Sequence, residues 1–241
     1  MSEPQQSISP DVVTNLARRD IVLGCHSAVW QRLALNAALA KRVYHAMGHR
    51  EVGQFTFAAN DRVWVFSYSR REDENIALLR RLRDAGVAEI IYLSSSSTCV
   101  AEKTSCYEYP RVKRQAELMV QAMPVGKVLT VGLIYVTPDE LPAGENVATS
   151  IDELADFMRA PNWPDGDGED KGNRKNLLRV VSRPFPSRVE HFFYRCYGVA
   201  IAQAGRYPCL LRPADLILRS LNMRWYGYVY LSNRAWISTI S

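Results

Sequence analysis

Hydrophobic and polar positions alternate between two rhythms along the first half of the chain. Ile21-Val22-Leu23 is a short apolar run closed by Gly24, which predicts a buried strand. From Ala28 to about His45 the residues are rich in Ala, Leu, Arg and Lys, and apolar positions recur at helical spacing, predicting a helix. Val52–Ala58 and Val63–Tyr68 read as two further strands about the turn dipeptide Asn60-Asp61. Glu72–Ala85 has the pattern of an amphipathic helix stopped by Gly86. Glu89–Leu93 is an apolar, β-branched run that leads straight into Ser94-Ser95-Ser96-Ser97. A second amphipathic helix over Tyr109–Met123 and a strand over Val125–Val136 complete the series.

Strands alternating with helices over residues 21–136 predict an α/β fold, a doubly wound parallel sheet covered on both faces. Such sheets place ligands at the carboxyl ends of their strands. Gly24, the serine run and Tyr135 all fall there. After Thr137 the rhythm breaks. Ile151–Arg159, Arg188–Gln203 and Pro213–Asn222 read as helices, Pro161–Asn176 as a polar, glycine-rich loop and Tyr226–Leu231 as a strand. The division expected is a polar lead-in over 1–18 (with a short helix at Pro10–Arg18), an α/β domain over 19–140 and a small mixed α/β cap over 141–241.

The 241 residues are 47% apolar, enough to bury a core. Five cysteines with no close pairing read as reduced thiols, and together with a start that has no signal pattern they imply a cytoplasmic protein. No apolar run reaches the roughly 18 residues that cross a bilayer, so no membrane association is expected. A formal charge of +5, with no basic run interleaved with aromatics, suits anionic small molecules and gives no sign of nucleic-acid binding. No metal site is expected. The acidic loop Asp165-Gly-Asp-Gly-Glu-Asp lacks the closing glutamate a calcium loop needs, and the histidines stand apart.

Candidate chemistry lies in the stretch that follows the serines. Tyr109 and Lys113 are four residues apart, on one face of a helix. An ammonium beside a phenol favours the phenolate and brings the tyrosine toward neutrality. With a serine hydroxyl on the same substrate oxygen, the three groups form a proton relay suited to carbonyl–alcohol interconversion.

These segments resemble the short-chain dehydrogenase/reductase superfamily, and most closely its extended, nucleotide-sugar-modifying branch. Ile91-Tyr-Leu-Ser94-Ser95-Ser96-Ser97-Thr98 matches the strand that ends in the catalytic serine. Tyr109-x-x-x-Lys113 matches the catalytic pair, Gly132-Leu-Ile-Tyr135 matches the strand end beside the nicotinamide, and Asp152-Glu-Leu-Ala155 weakly matches the helix start that follows. The resemblance covers roughly residues 20–155. It implies a Rossmann-like sheet and assigns Ser96 (Ser95 as fallback), Tyr109 and Lys113 to catalysis. Gly24, Ser27, Lys113 and Tyr135 would contact NAD or NADP. It further implies a nucleotide-sugar or similar polyol as substrate and a homodimer as the assembly.

The chain departs from that pattern at Gly24-Cys-His-Ser27-Ala-Val-Trp30, where only the first glycine of a GxxGxxG turn is present. Trp30 should either hold the helix away from the sheet or fill the dinucleotide cleft. The interval between first strand and Val63 is also short, and Asp61 comes too late to hold an adenosine ribose. Arg179, Arg183, Arg188 and Arg195 lie where the extended branch grips a pyrophosphate. Three readings follow: an atypical NAD(P)-dependent epimerase, dehydratase or reductase; a non-catalytic dehydrogenase-like partner, sensor or scaffold that binds no cofactor; and a cofactor-independent acid–base enzyme.

Overall fold

The computed structural model describes residues 18–66, 69–160, 163, 173–204, 210, 213, 216 and 227–240. A six-stranded parallel sheet forms its centre. The strands are β1 (Arg19–Leu23), β2 (Val43–Met47), β3 (Asp61–Val65), β4 (Glu89–Ser95), β5 (Gly126–Val131) and β8 (Arg174–Leu177), in the order β2-β1-β3-β4-β5-β8. A smaller sheet joins β6 (Leu133–Tyr135) parallel to β7 (Gly144–Ser150), with β9 (Arg179–Arg183) antiparallel on the far side of β7. This is the predicted Rossmann-like architecture with a small mixed sheet. The strand order reverses between β1 and β3, which makes the crevice above their carboxyl ends the natural ligand position.

Alternate residues of the strands build two cores. Ile21, Leu23, Val63, Val65, Ile90, Tyr92 and Val128 face Leu78, Leu79 and Leu82 of α3 (Glu72–Asp84) and, beyond the single-turn α4 (Thr98–Ala101), Ala116 and Val120 of α5 (Glu108–Gln121). Val22, Trp64, Ile91, Leu93, Leu129 and Val131 face the other side. There they meet α1 (Ala28–Leu33), α2 (Ala37–Arg42) and α6 (Ile151–Arg159). Burial on both faces is why these strands read as continuous apolar runs. α6 begins at an N-cap serine, the Ser150 hydroxyl accepting from Glu153 N at 3.1 Å.

At the amino ends of the strands the sheet is closed by charge. Asp20 and Arg62, both buried, form a two-point pair: Nε to Oδ1 at 2.5 Å and Nη2 to Oδ2 at 2.9 Å. Arg42 adds a bond to Asp20 at 3.0 Å, and Arg62 also donates to the carbonyls of Met158 and Ala160 at the end of α6. Arg19 pairs in the same two-point way with Asp61, which also accepts from Ala58 N. Asp61 is thereby a structural residue at the end of the sheet opposite the ligand crevice.

Several predicted elements are redrawn by the fold. The helix expected over Ala28–His45 is two short helices and an edge strand. Ser27 and Asn36 each cap a helix, with Asn36 Oδ1 accepting from Leu39 N at 3.2 Å, and the chain then turns into β2. Lying at the sheet edge, β2 keeps Tyr44 and His45 exposed and so lacks the apolar run of a central strand. Val52–Ala58 is not a strand: a 3₁₀ turn over Glu51–Gly53 precedes irregular chain, and its apolar beat comes from Phe55 and Phe57 packing edge to face at 4.9 Å against the first core. Val125–Val136 breaks at Gly132 into β5 and β6. Arg174–Asn176, expected in a loop, belongs to β8. Tyr226–Leu231, expected as a strand, is replaced by the helix α8 (Gly227–Ile240) from its second residue on; tertiary packing of its aromatic side overrides local β preference. The helices expected at Pro10–Arg18 and Pro213–Asn222 lie almost wholly outside the described residues.

Candidate active site

Strand β1 ends at Gly24, whose φ of 102° lies in the left-handed region that only glycine occupies freely. Its amide donates to Met47 O at 2.8 Å, tying the turn to the end of β2. Ser27 caps α1, its hydroxyl accepting from Trp30 N at 3.1 Å. The Trp30 indole folds into the second core, 5.9 Å from the Phe66 ring, and is 6% exposed. The indole thus packs between α1 and the sheet.

The end of β4 carries the acid–base candidates. Ser95 Oγ lies 2.9 Å from Ser97 Oγ and shares a hydrogen bond with the Tyr109 phenol. Ser96 is buried and held through its backbone: its amide donates to Val131 O at 2.7 Å, and its carbonyl accepts from Trp236 Nε1 of α8 at 2.8 Å. The hydroxyl brought to Tyr109 is therefore that of Ser95, the neighbour of the residue matched by motif.

Tyr109 and Lys113 stand one turn apart on α5, which Tyr107 precedes and Glu108 opens. The Lys113 ammonium is buried, donates to Leu93 O at 2.8 Å and lies 4.8 Å from the Tyr92 ring. Burial pulls its pKa down to about 8, against the opposing attraction of Glu117 one turn further on. Glu117 is itself completely buried and meets Arg174 of β8 at 3.0 Å and Arg114 at 3.4 Å. A chain of charge thus runs under the site from β8 to Lys113. Glu117 is four residues past Lys113, so the same helical spacing that pairs Lys113 with Tyr109 pointed to it.

The expected fall of the tyrosine toward neutrality does not occur. Burial raises the Tyr109 phenol above its ordinary value, and the Ser95 hydrogen bond offsets part of that rise. Part of the cover comes from α8: Tyr228 lies with its ring 5.8 Å from Tyr109 and 5.5 Å from Tyr107. The helix α8, in place of the expected strand, is what brings Tyr228 there.

Tyr135, the remaining cofactor candidate, is half-buried at the end of β6 and in register with Ser150 of β7. Gly132 before it has a steric reason: a Cβ there would stand 2.3 Å from Val147 O. Two of the four arginines matched to pyrophosphate binding are engaged elsewhere, Arg179 with Glu153 at 2.9 Å and Arg183 with Leu141 O at 2.5 Å. Arg188 and Arg195 are exposed on α7 (Arg188–Ala204).

No protein-family model matches the sequence, and no curated protein matches it. Among solved structures, the fold is similar to UDP-glucose 4-epimerase from Thermotoga maritima with UDP-glucose, at a TM-score of 0.48 and 11% identity over 68% of this chain and 78% of that one. It is similar to the Bordetella bronchiseptica enzyme WbmG in complex with NAD, at a TM-score of 0.47 and 10% identity over 71% of this chain and 76% of that one. A wide-type short-chain dehydrogenase/reductase from Veillonella parvula in complex with NADP gives a TM-score of 0.44 and 12% identity over 70% and 95%.

Proposed function

We propose that this chain is an atypical NAD(P)-dependent oxidoreductase of the short-chain dehydrogenase/reductase kind, acting on a nucleotide-sugar or similar polyol. The observation that carries the reading is the Ser95–Tyr109 hydroxyl pair at the carboxyl end of β4, with the buried Lys113 ammonium one turn along the same helix. Ser95 orients a substrate oxygen and Tyr109 exchanges a proton with it. Burial raises the Tyr109 pKa, so at neutral pH the phenol is held protonated, the form that can donate to a substrate carbonyl oxygen.

The residues fit a dinucleotide in part. Gly24 keeps the left-handed turn that lets backbone approach a pyrophosphate, and Trp30 is folded into the core. At the end of β2, Gly48-His49-Arg50 presents an exposed arginine, and the adjacent carboxylate, Glu51, accepts from Gly48 N at 3.2 Å. An arginine there suits a ribose 2′-phosphate, so NADP is favoured over NAD. The bound nicotinamide would supply the hydride; Gly24 and Ser27 would face its phosphates, with Lys113 and Tyr135 on the nicotinamide side.

A second reading, a non-catalytic dehydrogenase-like binding protein, is favoured by the commitment of Lys113 to Leu93 O and by Tyr228 against the Tyr109 ring. Fluorescence and calorimetric titration with NADPH, NADP, NADH and NAD separates the two. Saturable binding with preference for the phosphorylated pair is expected, and no binding at millimolar cofactor removes the NAD(P)-dependent reading.

A further inference from the structure

Helix α7 is apolar on both sides. Its inner side buries Tyr197 and Ile201 beside Val100 and Tyr107 and sets Gly198 against Tyr230 of α8. Its outer side repeats Val189, Phe192, Cys196 and Val199 at helical spacing, with Phe193 beside them. Val189, Phe192 and Val199 are each more than 60% exposed and Phe193 is 51% exposed. A helix hydrophobic all round belongs in an apolar environment on both sides, and here one side faces outward. Leu210 and Leu216 further along the chain are exposed as well.

Charge identifies the occupant. Residues 191–241 contain six arginines and one acidic residue, Asp215, a net of +5 that equals the formal charge of the entire chain. The rest of the sequence is neutral overall. Arg188 and Arg195 are exposed on α7 itself, whose one acidic residue is Glu190. A second copy of this chain docked on the same face would set Arg188, Arg195 and the neighbouring Arg234 of α8 against their own counterparts, which opposes association. An anionic bilayer surface satisfies both features: acyl chains take the aliphatic and phenylalanine side chains while headgroups take the arginines. We infer that the outer side of α7 is a peripheral docking surface for anionic lipid membranes. None of the described helices is long and apolar enough to cross a bilayer, so the contact is interfacial. It is independent of the Ser95–Tyr109 pair.

Co-sedimentation of the full chain with phosphatidylcholine vesicles containing about 30% phosphatidylserine, against pure phosphatidylcholine vesicles, tests it. Binding to the anionic vesicles alone, weakened by salt, is expected. The double change Phe192→Gln/Phe193→Gln should weaken that binding by at least about tenfold. Arg188→Glu/Arg195→Glu should weaken it independently, and matching circular dichroism and unfolding midpoints verify that both variants fold. Three results overturn the inference: no sedimentation with anionic vesicles; a Phe192→Gln/Phe193→Gln protein that sediments like the parent; or a parent that is a dimer by sedimentation velocity and becomes a monomer in that variant, which assigns the face to a second copy.

Discussion

Lys113 Nζ donates to the carbonyl oxygen of Leu93 at 2.8 Å, so the helix that carries Tyr109 is anchored by its lysine to the strand that carries Ser95. The bond fixes the position of α5 over the end of β4 and holds a charge in a site where burial disfavours it. Its consequences differ for stability and for catalysis, and each is measurable.

The buried ammonium makes stability depend on alkaline pH. The folded pKa of Lys113 is about 8, against 10.5 ordinarily. Below pH 8 the side chain is protonated in both folded and unfolded chains, and the cost of burying the charge is fully present. Between pH 8 and 10.5 the unfolded chain binds more protons, so this residue's contribution to stability rises with pH, by at most about 3 kcal/mol. Urea unfolding of the parent and of Lys113→Met across that range should show the parent gaining relative to the variant; parallel curves would refute the shift.

Tyr109→Phe removes the phenol oxygen and keeps the ring against Tyr228. Turnover of a carbonyl substrate should fall about 10²- to 10⁴-fold, with NADPH affinity changed little. Ser95→Ala should reduce turnover more than Ser96→Ala, because Ser95 meets the phenol while Ser96 is held by its backbone. Steady-state kinetics on the three variants decides the assignment.

Asp20→Asn leaves Arg62 charged and buried at 1% exposure without its two-point partner. A loss of about 3–5 kcal/mol is expected, read as a lowered urea midpoint. The effect should be structural: the pair lies at the amino ends of the strands, so cofactor affinity of the folded fraction should match the parent.

Gly132→Ala places a methyl 2.3 Å from Val147 O and 2.7 Å from the Ala148 Cα, both backbone atoms that cannot move aside cheaply. Destabilisation of about 1–3 kcal/mol should follow, with β6 displaced from β7. Thermal unfolding of the variant checks this, and an unchanged midpoint would show that the two strands are not held so close.

Sequence alone determined four strands of the central sheet, β1, β3, β4 and β5, and the helix that carries the candidate pair. Strands buried on both faces leave continuous apolar runs, as at Ile21-Val22-Leu23 and Glu89–Leu93, and helices between them leave a 3.6-residue beat, as at Glu72–Ala85. The spacing of Tyr109 and Lys113 placed both on one helix face in the same way. Other features were fixed only in three dimensions. β2 is an edge strand whose polar side erases the apolar signal, and α8 is a helix because its tyrosines and Trp236 pack against Tyr107, Tyr109 and the Ser96 carbonyl, contacts more than a hundred residues apart along the chain. The choice between Ser96 and its fallback Ser95 turns on which hydroxyl of a serine run meets the phenol, and the raised pKa of Tyr109 turns on how much protein covers it. Both depend on which surfaces meet, and local periodicity carries no record of that.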